Sequence, residues 1–317
     1  MHLSEGILPL KQAVAASVAV SPFMIDSYQN FKNLKNDASS RQSKPFLTLA
    51  VAFCFAMTLL PIPVPILGAS SHMCASPMLA LILGPRLTVL PVFGILLLQA
   101  LFFAHGGITT LGANVLTLGV VAPWMTYLLF SLFKKLNLKG QLAIGLSCLL
   151  GSLAVYFADS ILLSWGLSSK QHFASTFKMV TLGFLPVQLP LSVLESFLTV
   201  FIINYLANYR DDFIPDHLGE VLKDKVSLKN ATSIALLVLI FALASSDLAF
   251  ADGFPAIDDT VFTKIAEDAN LKSVSLFPWI EGEVQLSFFS IGFFICGYLV
   301  GTNMHKLNLN TPENKER

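Results

Sequence analysis

The chain has 317 residues, 54% of them hydrophobic and 13% charged, whereas a soluble globular domain carries roughly 25% charged residues. With a mean hydropathy of +0.69, a water-soluble fold is excluded. Lys plus Arg and Asp plus Glu balance at 20 each, so no basic excess is available for nucleic acid.

A membrane-crossing helix needs about 20 apolar residues. Taken in chain order, the apolar segments are 11–28, 46–60, a short 76–85, 88–104, 109–133, 141–163, 177–207, 232–250 and 284–301. The first follows MHLSEG rather than a basic stretch, and no convincing small-x-small cleavage site comes after it, so the N-terminus is expected to be retained. Lys32, Lys35, Arg41 and Lys44 fall in the first loop; Lys134, Lys135 and Lys139 in a later one; Arg210, Lys223, Lys225 and Lys229 in another; Lys306, Lys315 and Arg317 at the end. Short basic loops stay cytoplasmic, which puts 61–75 outside and makes 76–85 a third crossing. The expectation is an all-α integral protein of the cell (inner) membrane with about nine transmembrane helices, its N-terminus extracytoplasmic and its C-terminus cytoplasmic. Segment 61–85, PIPVPILGASSHMCASPMLALILGP, reads either as irregular backbone lining a cavity at membrane depth or as a proline-rich loop. The composition changes near Lys223, which divides the chain into a transmembrane unit 1–215, a cytoplasmic linker 216–231 and a two-helix module 232–317 with a polar extracytoplasmic segment 251–283.

The four cysteines are widely spaced and none forms CxxC, which argues against a disulfide framework. His2 follows the initiator. With Met1 in place, its α-amine, the His2 amide nitrogen and His2 Nδ1 close fused five- and six-membered chelate rings on one metal, a nitrogen set that suits square-planar Ni(II) or Cu(II). His72 lies on the same expected outer side and is a candidate for the fourth nitrogen, with Ser70 and Ser71 beside it able to orient an imidazole. Met73 and Cys74 either bias such a site toward softer metals or face away. His105 opens the polar break HGGITTLGAN; His105 and Asn114 read as supporting or gating residues, or as part of a helix–helix turn. Glu195, inside an apolar run, either lines a pathway or pairs with another helix. GxxxxGK[ST] and HExxH are both absent, so nucleotide energy has to come from partner subunits.

MHLSEGIL, GASSH followed by LALILGP, HGGITTLGAN and, more weakly, LPLSVLESFLTVFIINYL occur in this order over about residues 1–210. In these motifs the chain resembles the substrate-capture subunits of cobalt and nickel energy-coupling-factor transporters, the CbiM/NikM type. The resemblance implies a seven-helix capture domain whose extracytoplasmic N-terminus folds into the protein. The metal would be held by the Met1 amine, the His2 amide and imidazole, and a second imidazole matching His72. It implies no permanently bound cofactor; the ion is cargo, Ni(II) or Co(II) ahead of Zn(II). The implied partners are a transmembrane coupling protein, two ATPase subunits and membrane lipid. Residues 232–301 resemble the two-helix accessory component, whose PDGLE-like sequence is matched loosely by Ala251-Asp252-Gly253-Phe254-Pro255. Where the family commonly has a small, sulfur-free run after the histidine, this chain has Met73-Cys74-Ala75-Ser76-Pro77, which leaves the metal open.

Two other readings compete. A self-sufficient secondary transporter would place a midplane site at the broken segments near His72 and His105. An intramembrane serine hydrolase would use Ser70 or Ser71 with His105 or His172 as base, although no nucleophile-elbow pattern is present.

Overall fold

The computed structural model describes residues 2–36, 43–60, 62–64, 69–103, 105–167, 172–209, 213–220 and 222, and isolated helical positions between 291 and 302. Met1, the span 232–250 and segment 251–283 lie outside the described residues.

The described chain is helical apart from one short ribbon. Its helices are α1 (Leu10–Asn36), α2 (Ser43–Leu59), α3 (Ser76–Leu83), α4 (Pro85–Phe102), α5 (Leu111–Asn114), α6 (Ala122–Lys135), α7 (Gly140–Leu167), α8 (Phe173–Tyr209) and α9 (Asp216–Gly219). A π-helical stretch, Val115–Val121, joins α5 to α6 in one span of 25 residues. By length and apolar composition, four described helices can cross a membrane: Pro85–Phe102, Leu111–Lys135, Gly140–Leu167 and Phe173–Tyr209.

Helix α1 shows how the sequence sorts the two faces of a helix. Leu10, Val14, Val18, Ile25 and Tyr28 are exposed, while Ala13, Ala16, Val20 and Ser27 are buried, a helical period with an exposed apolar side and a packed side. Pro22 has no N–H to bond the Val18 carbonyl four residues back, and the Ser21 hydroxyl donates to that carbonyl at 2.8 Å instead. Such a substitution lets a proline remain inside a helix.

The segment expected to be irregular contains an antiparallel ribbon, β1 (Ile62–Val64) with β2 (Ala69–Ser71), in which Ile62 lies opposite Ser71. Pairing each three-residue strand with the other gives backbone groups of this proline-rich segment partners within it. The short piece expected to complete a crossing is α3, eight residues long. At about 12 Å it covers less than half the hydrocarbon thickness. Gly84, at φ +82°, breaks the helix and Pro85 restarts it as α4.

Helices α7 and α8 meet through small and hydroxyl residues. Ser196 Oγ donates to the Gly145 carbonyl at 2.7 Å, Ser192 Oγ to Ser152 Oγ at 3.1 Å, and Cys148 Sγ lies 3.2 Å from Thr199 Oγ1. Interfaces of this kind hold helices together where lipid removes the hydrophobic driving force. Lys134 and Lys135 end α6 and Arg86 begins α4. These basic residues share one end of the bundle with the C-terminus of α3, whereas the segments carrying His2, His72 and His105 emerge at the other.

A candidate metal centre

His2 belongs to no regular element, and its position is set by the residue after it. The Leu3 N–H donates to Asn114 Oδ1 at 2.7 Å; the Leu3 carbonyl accepts from Asn114 Nδ2 at 3.1 Å and from Thr110 Oγ1 at 2.6 Å. The Leu3 side chain is fully buried in the core formed by α1, α4, α7 and their neighbours. The Glu5 carboxylate accepts the Thr109 N–H at 3.2 Å. The N-terminal segment is therefore a folded part of the bundle, gripped by α5 and the loop that precedes it.

Two glycines make that grip possible. Gly106 has φ +83°, and a Cβ there would lie 3.3 Å from His2 Cβ. A Cβ on Gly107 would lie 2.7 Å from Glu5 Cα and 2.8 Å from Glu5 N, closer than atoms pack.

His72 follows β2 directly. Its Nδ1–H donates to the Met73 carbonyl at 3.2 Å, which fixes the tautomer and leaves the Nε2 lone pair turned inward. That Nε2 lies 3.1 Å from His2 Nδ1 and 3.1 Å from His105 Nε2. The ring centroids are 4.7 Å apart for His2 and His72, 4.4 Å for His2 and His105, and 4.8 Å for His72 and His105. Among the described residues these three form the group able to hold a metal ion, one ligand atom from each lying within 4.8 Å of the others. None of the three sits in a membrane-crossing helix. Removal from water pushes His2 and His72 well below the usual histidine range and His105 down to about 4. Neutral imidazole is the form that ligates metal.

The chain after His72 is held from α8. Glu195 Oε1 accepts the Ala75 N–H at 2.7 Å, and Oε2 accepts the Cys74 N–H at 3.3 Å and the Ser152 hydroxyl at 2.9 Å. Ala75 adopts φ +55° just before α3, so the carboxylate caps a tight entry into that helix and thereby fixes the approach of His72. Of the two roles read for Glu195, pairing with another element is the one its contacts describe. Glu195→Ala leaves two buried N–H groups without their acceptor at about 1–3 kcal/mol each; a lower unfolding temperature in detergent is the expected readout.

Met73 packs with Ile62 and Leu191. Cys74 Sγ lies 3.5 Å from Tyr156 Oη and 3.7 Å from Ser152 Oγ, and Cys74 does not belong to the three-histidine group. Ser71 Oγ accepts from Gln188 Nε2 at 2.7 Å. Ser70 lies in β2 opposite Pro63, with its side chain outside the described set, and His172 is exposed ahead of α8. His105, read as supporting or gating, has its ring nitrogen as near to His72 as His2 has. The spacing His105-Gly106-Gly107 was the signal for this, because glycines that admit a second backbone also bring the adjacent imidazole to it.

Residues 2–213 match the family described as cobalt uptake substrate-specific transmembrane region. A relative in Geobacter sulfurreducens, a cobalt transport protein, is 31% identical over 94% of this chain and 88% of its own length. The chain belongs to the cobalt uptake substrate-specific transmembrane family. A cobalt transport protein of Sorangium cellulosum is 38% identical over 63% of this chain and 88% of its own. Among solved structures, a truncated transition metal transporter superposes with a TM-score of 0.57 at 23% identity, covering 66% of this chain and 99% of that one. A second transition metal transporter gives 0.57 at 22%, covering 70% and 98%. At such identities the likeness speaks to the fold. Membership makes the chain a multi-pass membrane component of metal uptake and not an enzyme, which removes the serine hydrolase reading.

Proposed function

We propose that this chain captures cobalt(II) or nickel(II) on the extracytoplasmic side of the cell membrane for an ATP-driven uptake system. The observation that carries the reading is the convergence of three neutral imidazoles on one point, His2 and His72 buried and His105 half-buried. Metal–nitrogen bonds of about 2.0–2.1 Å put ligands at right angles ~2.9 Å apart. The 3.1 Å separation of His2 Nδ1 and His72 Nε2 needs only a small contraction to reach that spacing. The Met1 amine, the His2 amide and Nδ1, and His72 Nε2 make up the square of nitrogens. His105 approaches His72 at the same 3.1 Å and takes the position above the plane. Ser70, Ser71, Cys74 and Asn114 support the ligands without binding the ion. An all-nitrogen set favours cobalt and nickel over zinc, which gains little from a deprotonated amide and takes tetrahedral ligands.

The orientation rests on the basic residues at the opposite end of the bundle, which belong in the cytoplasm. The metal-capture unit is 1–215, followed by linker 216–231 and the accessory module 232–317. An alignment over 94% of the chain extends well past residue 213, where the family match ends, so the Geobacter relative shares much of that extension. A membrane coupling protein and two ATPases supply the energy, since no phosphate-binding loop is present in the sequence.

One residue added ahead of Met1 carries the α-amine out of chelate reach, and cobalt retention and uptake are expected to be lost. Undiminished retention with such an extension overturns the chelate. Uptake that continues in cells lacking the ATPases points instead to a self-sufficient secondary transporter.

A further inference from the structure

Helix α3 is gripped at both ends by polar side chains from other parts of the chain. At its N-terminus Glu195 receives the N–H groups of Cys74 and Ala75. At its C-terminus the Leu81 carbonyl lacks its ordinary partner, because the residue four positions on is Pro85, which has no N–H. His217 Nε2–H takes its place, donating to Leu81 O at 2.9 Å. The His217 ring stands edge-on to Tyr127 and Phe130 of α6, with centroids at 5.5 and 6.0 Å. Around it, Phe213 stacks on Phe46 of α2 at 4.4 Å, Leu218 is fully buried and Glu220 pairs with Lys134. Residues 213–220 thus form a strap across the basic end of the bundle, fastened to α2, α3 and α6, and the chain leaves it for the C-terminal module.

The geometry points to His217 as a positioning residue for the metal site. We infer that the strap sets the height of α3 and, through the Glu195-held turn at Cys74 and Ala75, the placement of His72 nine residues before Leu81. A displacement of the strap on the cytoplasmic face loosens the metal on the opposite face, so release is governed from the side where the ion must leave. The inference rests on His72 being a ligand. Its second leg, the coupling between strap and α3, is independent of metal.

The test uses the full chain with a native N-terminus, as wild type, His217→Ala and His217→Gln. Two quantities are measured: the rate at which bound cobalt(II) passes to a chromophoric chelator, and hydrogen exchange in the peptide spanning 72–83. Glutamine can donate to the Leu81 carbonyl; alanine cannot. His217→Ala is expected to release cobalt about fivefold faster, in line with the loss of one hydrogen bond, and to speed exchange across 72–83, while His217→Gln stays within about twofold of wild type. Equal release and exchange in all three proteins, or equal acceleration in both variants, overturns the proposal. If wild type binds no cobalt, the metal-site reading fails, and exchange across 72–83 alone then decides the strap.

Discussion

Replacing His72 with alanine is expected to reduce cobalt affinity by more than a hundredfold while leaving the bundle folded. Residues that only orient a ligand change metal affinity by about 10–100-fold when lost, and removal of a ligand exceeds that. The turn after His72 keeps its Glu195 grip in the variant, since that bond uses the backbone of Cys74 and Ala75. The effect therefore isolates the imidazole. His105→Ala removes the nitrogen above the plane and is expected to cost less, about tenfold, because four equatorial nitrogens remain. Chelator competition measures both. The reverse ranking would mean that His105, and not His72, completes the square.

Gly107→Ala is expected to abolish capture without touching any ligand. The added Cβ would fall 2.7 Å from Glu5 Cα and 2.8 Å from Glu5 N, and neither backbone atom can move aside while the Asn114 and Thr110 side chains hold Leu3. The N-terminal segment has to leave its groove, taking His2 with it. An affinity loss of at least a hundredfold is expected, at or beyond the range for orienting groups, with helical content unchanged. Gly94→Ala serves as the control, because a Cβ there meets nothing within 4 Å. If Gly107→Ala binds cobalt as wild type does, the folded N-terminus is not what presents His2.

Apolar length alone located α1, α4, α7 and α8 to within a few residues at most ends, because a membrane helix advertises itself by a continuous run. The end of α1 is farther off, at 28 against Asn36, since Lys32 and Lys35 close the apolar run although the backbone stays helical. Segment 61–75 was legible as special but not as a ribbon: strands of three residues give too few alternations for period two to show. His2 and His72 were singled out by chelate chemistry and by the family motifs. The full company of His105 was not, since its approach depends on two glycines admitting the N-terminal backbone, a tertiary fact with only a compositional trace. Glu195 stood out as a carboxylate in an apolar run, but its target, the turn into α3, lies 120 residues away and no local pattern encodes it.

The central claim is an all-nitrogen site, and X-ray absorption of the cobalt-loaded protein with its native N-terminus tests it most directly. The account predicts a nitrogen shell at about 2.0–2.1 Å with imidazole multiple scattering, lost in a His2→Ala, His72→Ala double variant. A sulfur shell near ~2.3 Å would contradict it and place Cys74 or Met73 on the metal.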